Sequence, residues 1–135
     1  MNELTLSATI ENIEAVTVFV KEQLELMDFS MKAQMQIEIA IDEIFGNIAR
    51  YAYAPNVGEV TVCVDVQETP RSVVITFIDG GIPYDPLSAA EPDITLCAEK
   101  RAVGGLGIFM VKKIMDEIIY RYENGKSILS IRKNL

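Results

Sequence analysis

Between Ile13 and Ile78 the apolar residues change period once, and that change decides which layers the chain can build. Ile13, Val16, Val20, Leu24 and Met27 recur at steps of three and four, which predicts an amphipathic helix from about Glu11 to Met27. Asp28-Phe29-Ser30 breaks it, and Ser30 is placed to cap a second helix running to about Tyr53. Ile37, Ile41, Ile44 and Ile48 form the buried stripe of that helix, and Pro55 and Gly58 end it. From Val60 the period falls to two. Val60, Val62, Val64 and Val66 alternate with Thr61, Cys63 and Asp65, the pattern of a strand with one covered face. Residues 72–78 (SVVITFI) are apolar on both sides, as a central strand would be.

The remaining segments complete the order. Residues 3–9 alternate as a short strand. A helix from Gly104 reaches about Met115, and strands near 117–123 and 127–133 are joined by Asn124-Gly125, a hairpin turn signal. The sequence thus reads strand, two helices, two strands, long loop, helix, two strands. That order predicts an α+β two-layer sandwich. Its mixed, mostly antiparallel sheet of about five strands would carry about three helices on one face. At 135 residues, with no internal repeat, the chain is expected to form one domain over 1–135.

Composition removes whole classes of chemistry. There is no histidine, so histidine-based nucleophilic catalysis, histidine-ligated metal and phosphohistidine are all excluded. Twelve basic against 20 acidic residues give a net charge of −8, which argues against nucleic-acid binding or a polybasic membrane contact. No apolar run reaches the roughly 18 residues of a membrane span. The segment Met1-Asn2-Glu3 lacks the basic region of a signal peptide. Cys63 and Cys97 have no metal or redox spacing and read as reduced thiols of a cytosolic protein.

Three local constellations remain. On the second helix, Glu43 and Asn47 are four apart and share one face, where a carboxylate and a carboxamide can hold hydrated Mg²⁺ and polarise a hydroxyl. Gly46 beside them is a poor helix former and would let a backbone or ligand approach. The plainer reading is a solvated face carrying Asp42, Glu43 and Arg50. After the central strand comes Asp79-Gly80-Gly81-Ile82-Pro83. It is either an ordinary Gly-Gly turn or a carboxylate that accepts from an exocyclic amino group, with glycines admitting a flat ring. A loop over about 82–103 follows, too long for a plain connection in a small domain. Then Gly104-Gly105-Leu106-Gly107 opens a helix, as a hinge or as bare backbone N–H groups that bind anions. Neither the G-x-G-x-x-G nor the G-x-x-x-x-G-K-[ST] phosphate fingerprint is present.

The order of these boxes resembles the GHKL ATPase superfamily of histidine kinases, gyrase B and MutL, whose nucleotide-binding domain is the Bergerat fold. Within it the chain looks like the stand-alone anti-sigma-factor serine kinases of bacterial partner switching. Residues 38–53 (EIAIDEIFGNIARYAY) resemble the N box, 79–87 (DGGIPYDPL) the first glycine box, and 104–117 (GGLGIFMVKKIMDE) the second.

The resemblance implies a role for each matching residue. Glu43 would be the general base and Asn47 the Mg²⁺ ligand. Asp79 would read adenine, with Gly81 as its close-approach glycine. Gly104, Gly105, Leu106 and Gly107 would line the phosphates, and Ser127 would support the adenine contact. It also implies ATP/ADP and Mg²⁺ as cofactors, a loop closing as a lid, and a homodimer in the bacterial cytoplasm. The partners would be a sigma factor and a STAS-type antagonist phosphorylated on serine. One departure stands out: Val103 fills a place where family members often carry a basic residue, and the nearest cations are Lys100 and Arg101. Two expectations follow. One is a protein serine kinase; the other is a regulator of the same fold that binds nucleotide without transferring phosphate.

Overall fold

The computed structural model describes residues 2–69, 71–83 and 105–134. Strand β1 (Asn2–Ser7) leads through a short 3₁₀ turn (Ile10–Asn12) into helix α1 (Ile13–Leu24). Helix α2 (Met31–Asn47) follows and passes directly into a π-turn over Ile48–Ala52. Strands β2 (Glu59–Glu68) and β3 (Arg71–Asp79) come next, then helix α3 (Gly105–Ile114) and strands β4 (Glu117–Glu123) and β5 (Lys126–Asn134). The five strands form one sheet in the order β1-β2-β3-β5-β4, and each neighbouring pair is antiparallel. The expected α+β sandwich is what forms, and the mostly apolar segment 72–78 is its middle strand.

The period-two pattern sets which face is covered. Val60, Val62, Val64, Val73, Ile75, Phe77, Leu129 and Ile131 point to one side and are buried. They meet Val16, Val20 and Leu24 of α1, Ile37, Ile41, Ile44 and Phe45 of α2, and Val111 of α3 in one core. The opposite face is polar in part: Thr5 and Thr61 share a hydrogen bond of 2.8 Å, and Thr76 and Ser130 one of 3.0 Å. Cys63 is a free, buried thiol on this side; burial, with Glu3 beside it, raises its pKa. Cys97 lies outside the described residues.

The helix boundaries are shorter than the apolar periodicity suggests. α1 begins at Ile13 because the 3₁₀ turn precedes it, where the Asn12 side chain donates to the Ser7 carbonyl at 2.8 Å. α2 begins where expected: the Ser30 hydroxyl accepts from the Ala33 N–H at 3.1 Å. Ser30→Ala should therefore cost about 1 kcal/mol, read as a lower urea midpoint with an unchanged m-value. The C-terminal difference matters more. The α-helix stops at Asn47, and the last turn before Tyr53 widens into a π-turn, a distortion that recurs at functional sites. At the hairpin tip Asn124 and Gly125 both take positive φ, 53° and 77°, as a type I′ turn requires.

Candidate functional site

The last cross-strand row on the covered face departs from the apolar pattern. Leu6 pairs with Val60, Val60 with Asp79, Asp79 with Ser127, and Ser127 with Tyr122. Asp79 and Ser127 thus stand side by side at the end of β3 and the start of β5, 6% and 7% exposed. Burial raises the Asp79 carboxyl above the usual aspartate range, while the Gly81 amide and the Lys126 charge pull it down. Its Oδ1 accepts from Gly81 N–H at 3.0 Å, and Ser127 Oγ is 3.1 Å from the Tyr120 hydroxyl.

The π-turn closes against this corner. Ala52 O accepts from Ile82 N–H at 2.8 Å. A β-carbon at Gly81 would lie 2.6 Å from the Ala52 carbonyl carbon, so only glycine fits. The close approach expected of Gly81 is therefore made to the protein's own backbone.

Glu43 and Asn47 occupy the last turns of α2, both half-buried. A β-carbon at Gly107 would overlap the Glu43 carboxylate, so the start of α3 rests directly on that side chain. Asn47 Oδ1 is buried and has no hydrogen-bond partner among the described residues. A buried, unsatisfied amide oxygen is costly unless something approaches it, and an oxygen of this kind suits a hard cation such as Mg²⁺. No cluster of three or more acidic or thiol ligands occurs among the described residues. Among the described residues no backbone approaches Gly46: the nearest group is the Arg50 guanidinium, whose Nη1 would be 3.3 Å from a β-carbon there.

The fold therefore brings together Glu43 with Gly107, and Asp79 with Gly81 and Ser127. Gly105 and Leu106 belong to the first turn of α3. Lys100, Arg101, Val103, Gly104 and the loop from residue 84 lie outside the described residues. Sequence reasoning missed Tyr53, Tyr120 and Lys126 at the Asp79 corner. Tyr120 was accessible from the alternation of β4, since it shares the phase of Ile118. Lys126 directly precedes Ser127. Nothing local marks Tyr53.

Comparison with known proteins fits this geometry. The model of the histidine kinase-like ATPase domain family matches residues 6–133, and the chain belongs to that family. It is 24% identical to the serine-protein kinase RsbW of Bacillus cereus over 131 residues, covering 94% of this chain and 81% of that one. The solved RsbU and RsbW domains of Rv1364c from Mycobacterium tuberculosis superpose with a TM-score of 0.66 at 18% identity, covering 100% of this chain and 33% of that one. The SiaB–SiaC complex from Pseudomonas aeruginosa gives a TM-score of 0.60 at 16% identity, over 98% of this chain and 89% of that one. Both structures share the fold. No described helix is long and apolar enough to cross a membrane.

Proposed function

We propose that this protein is an ATP-dependent serine kinase that acts on a small antagonist protein and, as a homodimer, sequesters a sigma factor by partner switching. The observation that carries the reading is Glu43 one turn before an Asn47 Oδ1 with no partner among the described residues, on a helix that meets the start of α3 and runs on through the π-turn to the Asp79 corner. Likeness to RsbW kinases, whose name states their activity, supports it.

In this reading the adenine ring lies against the Asp79–Gly81 turn. The carboxylate accepts from the exocyclic amino group, and Ser127 adds a second polar contact. The glycines opening α3 present backbone N–H groups to the phosphates. Asn47 would hold Mg²⁺, which when bound neutralises charge on the phosphate oxygens. Glu43 takes the proton from the substrate serine hydroxyl. The serine Oγ–P bond then forms as the bond from the γ-phosphorus to the β–γ bridging oxygen breaks, and ADP leaves. The net charge of −8 is compatible with a polyanionic ligand, because the contacts are backbone amides, a helix start and a metal.

Labelled ATP and a candidate STAS-type antagonist protein test the proposal. Label on an antagonist serine is the expected result; MgATP binding without any label removes the kinase claim. Val103 in place of a basic residue favours the second reading, a nucleotide-gated binder, and that outcome would select it.

A further inference from the structure

Three consecutive residues after Asp79 are held by the end of the π-turn. The Tyr53 hydroxyl accepts from Gly80 N–H at 2.7 Å and donates its own proton to Glu59 O at 2.6 Å. Gly81 is pressed onto Ala52, and Ile82 N–H donates to Ala52 O. The Tyr53 ring covers Gly58, where any β-carbon would overlap it, and Gly58 O in turn accepts from Ala8 N–H at 2.8 Å. Lys126 also crowds Gly80: its Nζ would lie 3.1 Å from a β-carbon there. Asp79 itself is tied to this turn through Gly81 N–H. The ring of Tyr53 packs against the core, a role phenylalanine would serve equally. The hydroxyl has a separate role, because both of its hydrogen bonds go to backbone groups on either side of the Asp79 corner.

We propose that Tyr53 is a positioning residue for base recognition: its hydroxyl bridges the Gly80 amide to the Glu59 carbonyl and so fixes the turn that aims Asp79. The inference rests on the reading of Asp79 as the group that accepts from the adenine amino group. Tyr53 touches no reacting atom in this scheme. It links the helix carrying Glu43 and Asn47 to the turn that reads the base, so the two ends of the nucleotide are held in one frame.

The test uses Y53F in the full chain, with dissociation constants for MgATP and for MgITP, in which a 6-oxo group replaces the amino group. The wild-type protein should prefer ATP. In Y53F, ATP binding should weaken about fivefold, the scale of one hydrogen bond, while ITP binding stays unchanged and the preference shrinks accordingly. A preference that survives, whether Y53F binds both nucleotides as before or loses both equally, overturns the proposal, since a general structural role moves the two together. A wild-type protein that binds both nucleotides alike overturns the Asp79 reading first, and the role of Tyr53 with it. If Y53F fails to fold, exchange of the wild-type Gly80 amide decides. Slowed exchange supports the bridge, and exchange at the free-peptide rate overturns it.

Discussion

Glu43→Gln should bind MgATP as the wild-type protein does and phosphorylate the antagonist serine about 100- to 10,000-fold more slowly, the span of a lost general base. Gln keeps the length and shape of the side chain but cannot take up the proton. The carboxylate is held where this matters. It sits one helical turn before Asn47, and the start of α3 comes so close that residue 107 has no room for a side chain. Initial rates of label transfer measure the first effect, and a thermal-shift titration with MgATP confirms that the site is intact. Transfer at the wild-type rate would sink the assignment of Glu43. Unchanged regulation in cells by this variant would show that phosphoryl transfer is not what the protein contributes.

Asp79→Asn should separate stability from ligand binding in opposite directions. Burial holds the Asp79 carboxyl above the ordinary value of 3.8, so the folded state binds its proton more tightly than the unfolded chain does. Stability from this group is therefore greatest at low pH. It falls as pH rises from the ordinary aspartate range through the raised folded value, and is flat above that. Asparagine removes the ionisation and can still accept from Gly81 N–H through Oδ1. The ligand-free variant should then match or exceed the wild-type protein in urea stability at pH 7, with the advantage fading in acid. Its response to nucleotide should vanish. At 100 times its Kd, MgATP adds about 2.7 kcal/mol to a protein that binds it, and the variant should gain none of this. A full MgATP shift in the variant would remove Asp79 from the base site. A marked loss of ligand-free stability at pH 7 would show that burial of the charge is compensated in the folded state.

Much of the fold is legible because its signals are local. The change from period 3.6 to period 2 at Val60 separates helix from strand without reference to any partner, and Asn124-Gly125 can make a two-residue turn because both positions accept positive φ. The Ser30 cap is a contact between residues three apart. The end of α2 was less legible. The isoleucine stripe continues through Ile48, so periodicity carries the helix on to Tyr53. Docking of Ala52 and Tyr53 onto Gly81 and Gly80 accompanies the wider turn there.

By itself, then, the sequence determined the layers, the central strand and the order of the three local constellations, since each rests on spacing within one segment. Tertiary structure alone decided the site's register. Asp79 meets Ser127 because β3 pairs with β5, 48 positions on; Gly107 meets Glu43 across two helices; and the Tyr53 hydroxyl reaches Gly80, |i−j| = 27. Such pairings depend on how faces pack and strands align. A one-residue slip of a strand would turn Asp79 or Ser127 to the other side of the sheet, and no local pattern of residues states that alignment.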